Sequence, residues 1–307
     1  MKKYSNQIII LFSFLILILV FLNKSLVTES ILSSFYIWYN TLVPSMFPMI
    51  VLSDILITYN SYNIIPIKIT KYISKLFNIS NNAVIIFILS IISGFPTNAI
   101  IINKAINNKN ITKDEAEHLL LFCNFANPLF ILETVGTFYL KNNSFAIIIL
   151  ISHILSNIII GIIFRKNNHP KNNYIIDTFK SQNFGDVLSN AIYKSINSLL
   201  MIAGTITLFL ILTTLITHIF NLNNCLTLII KSLLEMTMAL SYLSNLNISS
   251  TLKAVISSII ISFSGLSIHL QVISSLENIK YKSYLKGRIL SSIISGVISL
   301  IIIKIIT

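Results

Sequence analysis

Long apolar runs, separated by short polar links, dominate the sequence. A run of about 20 apolar residues with few charges is typical of a helix that crosses a bilayer. By this criterion the sequence predicts membrane segments at residues 7–22, 36–59, 83–106, 116–140, 144–164, 190–220, 225–246, 252–276 and 283–303. We therefore expect an all-α polytopic membrane protein with about seven to nine membrane segments.

Residues 64–78 carry a different pattern. Ile65, Ile69 and Tyr72 recur at helical spacing, while three lysines lie on or beside the opposite face. This arrangement predicts an amphipathic helix that lies at the membrane interface, and an apolar loop is the alternative.

Composition and charge agree with a membrane protein. Hydrophobic residues make up 54% of the chain and charged residues 10%, whereas soluble domains carry about 25% charged residues. The net charge of +12 comes from basic residues in the links, which predicts membrane orientation instead of nucleic-acid binding. Cys123 and Cys225 are too far apart in sequence to indicate a metal site or a disulfide framework. The predicted partner is the lipid bilayer.

The positions of the basic residues also predict a topology. If every run crosses the membrane, the basic link at 165–180 falls outside, against the positive-inside rule. If 83–106 and 252–276 instead enter the membrane and return, most basic residues lie on the cytoplasmic side. We expect seven spans and two re-entrant segments. The alternative is that 225–246 lies at the interface and that the two halves are inverted repeats.

The same two runs, 83–106 and 252–276, are interrupted by a Ser-Gly pair, and this similarity suggests two weakly repeated halves. Each half would contain a re-entrant or broken helix, and such paired interruptions indicate a transporter binding site. The reason is physical, because backbone groups freed by a break can face only protein or a water-filled cavity. The predicted divisions are an N-terminal membrane anchor helix at 1–35, a first repeat at 36–166, a cytoplasmic basic link at 167–186 and a second repeat at 187–307.

Acidic residues inside the apolar runs have two interpretations. A carboxylate in a membrane span costs about 2.5–3.5 kcal/mol on insertion scales, so Glu133 is expected to face a cavity. A side chain that reaches the membrane surface is the alternative, and Glu235 and Asp54 have the same two interpretations. His153 and His218 are expected to be structural.

We predict a substrate-binding site at and near the interruptions. It comprises Ser93, Gly94, Pro96, Thr97, Asn98, Asn124, Asn127, Glu133, Ser264, Gly265, Ser267, His269 and Gln271. No nucleotide-binding, metalloprotease or serine-hydrolase motif is found, so we expect neither an enzyme nor a cofactor or metal site.

Three stretches resemble the sporulation integral membrane protein YlbJ family, within the larger group that carries nucleoside-recognition or "Gate" domains. They are SGFPTNAIIINKAI with TKDEAEHLLLFCNFANPLFI (93–131), LISHILSNIIIGIIFR (150–165) and SFSGLSIHLQVISSL (262–276) with the preceding KSLLEMTMAL (231–240). The family tip often reads S-G-Y-P-x-G-A, and here Phe95 and Asn98 replace the Tyr and the second Gly.

The resemblance implies two Gate-like repeats in a multi-pass protein of the mother-cell or outer forespore membrane of an endospore-forming bacterium. It also implies that the protein moves a small anionic metabolite, dipicolinate (dipicolinic acid), during spore formation. The alternative is a non-transporting scaffold or accessory subunit for assembly of the spore envelope and its cortex.

Overall fold

The computed structural model describes residues 2–59, 65–165, 183–276 and 279–306. Every regular element in these ranges is helical. The first half contains α1 (Lys2–Leu22), α2 (Lys24–Ile37), a π-helical turn (Trp38–Leu42), α3 (Val43–Thr58), α4 (Ile67–Phe77), α5 (Asn81–Ser93), α6 (Thr97–Asn107), α7 (Lys113–Phe122), a π-helix (Phe130–Leu140) and α8 (Asn143–Ile163).

The second half begins with a long helix and continues with shorter ones. Its elements are α9 (Phe184–Ile219), α10 (Asn224–Leu234), α11 (Met236–Asn245), α12 (Ser250–Phe263), α13 (Gly265–Ser274) and α14 (Tyr281–Ile306). Most of the predicted basic link at 167–186 lies outside the described residues.

Within the described residues, five helical segments are long and apolar enough to cross a membrane, or six if one bent pair counts as a span. The predicted number of seven to nine segments is therefore not confirmed. Four of the nine predicted runs are not candidate spans. The run at 7–22 forms an apolar helix just short of a span, the run at 83–106 is divided into α5 and α6, and the runs 116–140 and 225–246 are broken into helices of 10 or 11 residues. At 1.5 Å per residue, such helices cover about half of a bilayer core.

The two interrupted runs fold differently from each other. Helices α5 and α6 pack against each other on either side of Gly94–Pro96, as a re-entrant hairpin requires. Helices α12 and α13 instead form a single candidate span, Ser250–Ser274. The second run is thus a broken helix, one of the two forms predicted for it, and its length and composition suit a span.

The amphipathic helix predicted at 64–78 is present as α4, which meets α5 at an angle of 92°. Ile67, Ile69 and Tyr72 are exposed on its surface, whereas Phe77 is buried. An exposed apolar face on a helix perpendicular to a span is the geometry of an interfacial helix.

The segment α2–α3 packs along α9 through hydroxyl groups. Ser30 donates to Thr214 at 3.1 Å, and the Ser34 and Thr207 hydroxyls lie 2.7 Å apart. Small polar residues let membrane helices approach closely. These two elements, one from each half, form a continuous pair through the molecule.

A second polar layer lies between α8, α12 and α14. The Ser156 and Ser291 hydroxyls are 2.8 Å apart, and the Ser258 and Ser295 hydroxyls are 2.5 Å apart. All four side chains are fully buried. The polar faces of these helices therefore meet inside the protein, and their apolar faces are left to the exterior.

Candidate functional site

The Ser-Gly interruption of the first half lies against a second break in the same half. Residues 123–127 form a non-helical segment between α7 and the π-helix, and the Phe95 amide donates to the Phe125 carbonyl at 2.8 Å. Gly94 has a φ of 73°, and a Cβ atom there would lie 2.5 Å from the backbone nitrogen of Asn127. Glycine is therefore required both by backbone conformation and by contact.

The contact between the break at Gly94–Pro96 and the break at 123–127 is called the first crossing. Asparagine side chains bond to the backbone groups that these two breaks leave without helical partners. The Asn98 amide donates to the Cys123 carbonyl at 2.6 Å and to the Asn124 side chain at 2.7 Å. The Asn127 side-chain oxygen accepts from the Leu129 amide at 2.8 Å. These amides replace missing helical hydrogen bonds, which explains why polar residues occur in an apolar run.

The second half contains the equivalent crossing. Ser264 and Gly265 have φ values of 78° and 70°, and they separate α12 from α13. A Cβ atom on Gly265 would lie 3.1 Å from the Met236 nitrogen, beside the break at Glu235 between α10 and α11. Each half thus pairs one Ser-Gly break with the break of another helix.

His269 is committed to hydrogen bonds within the second crossing. Its Nε2 atom lies 2.8 Å from the Phe263 carbonyl, which can only accept, so Nε2 carries the proton. Its Nδ1 atom then accepts from the Tyr281 hydroxyl at 2.6 Å. Both ring nitrogens thus have hydrogen-bond partners within the protein, and the predicted substrate-binding role of His269 stays a prediction.

A cavity of about 30 Å³ lies where the two crossings meet. Phe95 and Pro96 line it from the first crossing, and Met236, Ile268 and Gln271 line it from the second. The remaining walls come from the α3 and α9 region, through Leu42, Met46, Ile202 and Ile206. Its volume suits a water molecule and is smaller than an aromatic dicarboxylate.

The polar groups of the cavity are Glu235, Thr237 and Gln271. The Glu235 carboxylate, 1% exposed, accepts from the Thr237 hydroxyl at 2.5 Å and from the Met238 amide at 2.8 Å. It therefore caps the N-terminus of α11, where the helix dipole favours negative charge. The Ser267 hydroxyl lies close to the same carboxylate.

Gln271 is buried, and neither its amide nitrogen nor its carbonyl oxygen has a hydrogen-bond partner. The buried Thr97 hydroxyl, next to Pro96, is also unpartnered. Unpaired buried polar groups are costly and need an explanation. At the edge of a cavity, a bound solute would provide the missing partner.

Arg288 ties the two crossings together from behind the cavity. Its guanidinium is fully buried and donates to the Asn124 carbonyl at 2.9 Å, the Ser262 carbonyl at 3.2 Å and the Asn157 side chain at 2.6 Å. No carboxylate pairs with it among the described residues. The cation is thus stabilised by carbonyl groups that the broken helices leave free.

His153 makes a second link between the halves. Its Nε2 atom accepts from the Ala126 amide at 2.9 Å, and its Nδ1 atom lies 2.8 Å from the Ser262 hydroxyl. The side chain is fully buried and both nitrogens are used. This placement agrees with the structural role expected from the sequence.

Comparisons with known proteins fit this architecture. One similar protein is the sporulation integral membrane protein YlbJ of Bacillus subtilis (strain 168). The two are 24% identical in an alignment 307 positions long, which covers 87% of this chain and 75% of the relative. This similarity, which extends over most of the chain, supports the resemblance to the YlbJ family. No protein-family profile and no solved structure matches it. Together with its apolar spans, the relationship makes it a multi-pass integral membrane protein.

In this protein, most of the predicted site residues are buried around the two crossings. Pro96 and Gln271 line the cavity itself. Glu133 is exposed on the π-helix and is not among the cavity-lining residues. Asp54 pairs with Lys194 at 3.2 Å and with Lys104 at 3.7 Å, so it joins α3, α9 and α6 at one end of the molecule.

Two important residues were not in the predicted site. Glu235 was noted in the sequence only as an ambiguous acidic residue. Arg288 was not singled out in the sequence. A signal for Arg288 exists, because Tyr284, Arg288 and Ser291 begin a polar stripe at helical spacing that continues along α14 through Ser295 and Ser299.

Proposed function

We propose that this protein is a permease that moves a small anionic metabolite across the mother-cell or outer forespore membrane during endospore formation, with dipicolinate as the candidate substrate. The cavity between the two crossings carries the proposal, because it joins both halves and contains the unpaired Gln271 side chain. The similarity to a sporulation integral membrane protein of Bacillus subtilis supports a role in sporulation.

The groups around the cavity suit a carboxylate. The Gln271 amide in the lining is a free donor, and a hydrogen bond from a neutral donor to a charged group is stronger than one between two neutral groups. The Glu235 carboxylate would repel an anion if it stayed ionised. The proposal therefore requires that Glu235 is protonated when the anion is bound, so that its hydroxyl becomes a further donor.

The small cavity volume also has a consequence for the mechanism. In the conformation described, the site can hold water but not dipicolinate, so the crossings must separate before the substrate can bind. Breaks in helices are suitable hinges for such movement. A scaffold without transport activity is the second candidate, and the small cavity is the observation that favours it.

Equilibrium binding to the purified protein tests the proposed site. We expect radiolabelled dipicolinate to bind wild-type protein saturably, and the near-isosteric Gln271→Leu variant to raise the Kd about tenfold because a hydrogen bond to a charged group is lost. The control is Ser257→Ala, which alters another buried and unpartnered side chain that does not line the cavity. Equal Kd values for wild-type and Gln271→Leu would refute the proposed site.

A further inference from the structure

A second, larger pocket lies between α2, α9 and the α10–α11 pair. Its volume is about 320 Å³, and its lining includes Glu29, Ser30, Ser33, Lys231, Tyr242 and Asn245. Charged and amide side chains do not line a pocket filled by lipid tails, because they would lose hydrogen bonds there. We refer to this water-compatible pocket as the vestibule.

The vestibule and the cavity occupy successive levels of the same helix pair. This pair consists of the segment α2–α3 and the helix α9. On α2–α3, residues between Leu26 and Ile37 line the vestibule, and Leu42 and Met46 line the cavity. On α9 the vestibule is lined at Leu210 and Thr214, and the cavity one to two turns earlier, at positions 202 and 206. At 1.5 Å per residue, the centres of the two spaces are about 15 Å apart.

The same helix pair is closed at its other end. Asp54 lies about two helical turns after Met46, which lines the cavity from α3. Its partner Lys194 lies about two turns before Ile202, which lines the cavity from α9. A line along the pair therefore passes from the vestibule through the cavity to an ion pair. The vestibule lies near the helix ends at residues 24 and 219, where spans reach the membrane surface.

The chemistry of the vestibule suits an aromatic carboxylate. The Lys231 amine lies 4.4 Å from the centre of the Tyr242 ring, and no carboxylate forms an ion pair with it in the described part of the chain. An ammonium group beside an aromatic ring can bind a carboxylate while the ring contacts an aromatic face. Glu29 provides the one negative charge of the lining.

We propose that the vestibule is the mouth of the path to the cavity and the first binding site for an aromatic carboxylate, which Lys231 attracts and Glu29 repels. This inference rests on the proposed transport function and assigns a separate site to it. Lys231 precedes Glu235 by one helical turn on α10, so an anion held there lies next to the entrance of the cavity.

Transport by proteoliposomes tests the inference through two variants with opposite effects. We expect Lys231→Gln to raise the KM for dipicolinate uptake about tenfold, and Glu29→Gln to lower it several-fold, with little change in the maximal rate. Lys231→Arg should retain the wild-type KM. The matched control is Lys286→Gln, which also removes a cation–π contact, with Phe164, but lies outside the vestibule.

The outcomes separate this inference from the proposed function. A KM for Lys231→Gln equal to that of wild type and Lys286→Gln would overturn the vestibule site while leaving transport established. A lower KM for Lys231→Gln with a higher one for Glu29→Gln would also overturn it, because the vestibule would then select a cation. Absence of saturable uptake by folded wild-type protein would instead refute the proposed function.

Access to the vestibule can be measured without transport. A Ser33→Cys variant, made with Cys225→Ser because Cys225 is exposed, should react with a water-soluble thiol reagent in detergent, and dipicolinate should slow the reaction. Lys109→Cys, on an exposed loop residue outside the vestibule, should react at a rate that dipicolinate does not change. No protection at Ser33→Cys under saturating ligand would contradict the proposal.

Discussion

Glu235 places an ionisable carboxyl group beside an unpaired amide in a cavity whose lining contains no other charged side chain. The ionisable neighbours outside the lining are Tyr139 on the π-helix and Lys231 on α10. A dianionic substrate in the cavity and an ionised Glu235 carboxylate would repel each other strongly, because both charges would be buried. Under the proposed transport function, protonation of Glu235 would be part of the transport cycle.

Replacement of Glu235 tests this requirement. In wild-type proteoliposomes, dipicolinate uptake should fall as the pH rises, because Glu235 loses the proton that neutralises it. Glu235→Gln is permanently neutral and should retain uptake with a flatter pH profile. Titration of the substrate itself is common to both proteins, so the difference between the two profiles isolates Glu235. Identical profiles would show that Glu235 does not carry the proton.

Arg288 is a second single residue of importance, because its side chain bonds to both crossings. Arg288→Met keeps much of the volume but leaves the Asn124 and Ser262 carbonyls without their donors. Each unsatisfied buried group costs about 1–3 kcal/mol. We expect the melting temperature in detergent to fall by at least about 5 °C. The control Lys282→Met, on an exposed residue of the same helix, should leave it unchanged.

At the scale of elements, the molecule is defined by helices that stop in the middle of an apolar run and cross at glycine. Gly94 meets the backbone of Asn127, and Gly265 meets the backbone around Glu235. In each crossing, the close approach brings freed backbone groups into contact with protein instead of lipid. Local hydrogen bonds hold the crossings in place, while helix breaks permit the halves to move.

A pair of glycine substitutions distinguishes this role from general helix effects. Gly94→Ala combines an unfavourable positive φ with a Cβ atom 2.5 Å from backbone, so it should abolish uptake and lower the yield of folded protein. Gly204→Ala in α9 meets nothing within 4 Å and should stabilise the protein by up to about 1 kcal/mol. Full uptake by Gly94→Ala would show that the crossing is not needed.

The sequence predicted the features that neighbouring residues determine, but it did not predict those that depend on contacts between distant residues. The amphipathic α4 and the interruption at Gly94–Pro96 were predicted because lysine spacing, glycine and proline act locally. Helix α2 was missed because Ser30 and Ser34 lower its hydropathy, and only the structure shows that these hydroxyls bond to α9. The crossing partners were also missed, since contacts between distant breaks have no local signal.

At the scale of the whole molecule, the vestibule, the cavity and the Asp54–Lys194 ion pair follow one another along α2–α3 and α9. In the conformation described, the vestibule lies at one end of this series, and an ion pair joins the two elements at the other. Because one element of the pair comes from each half, a change in their relative tilt would open one end as it closes the other. This arrangement is compatible with alternating access around a central site.

Loss of the ion pair should shift this balance. Asp54→Asn removes the contacts of Asp54 with Lys104 and Lys194, and partly exposed pairs contribute about 0.2–1 kcal/mol. We expect the rate of Ser33→Cys modification to fall by up to about fivefold as the closed end opens. Asp114→Asn, an exposed carboxylate on α7, serves as the control. An unchanged rate would show that the ion pair does not hold this conformation.

The central claim is that the protein alone moves dipicolinate through the cavity. The most direct measurement is uptake of radiolabelled dipicolinate by proteoliposomes that contain wild-type protein, compared with empty vesicles and with vesicles that contain Gln271→Leu. The account predicts saturable uptake by wild type that is strongly reduced in Gln271→Leu and missing from empty vesicles. Folded wild-type protein that takes up no more dipicolinate than empty vesicles would contradict it.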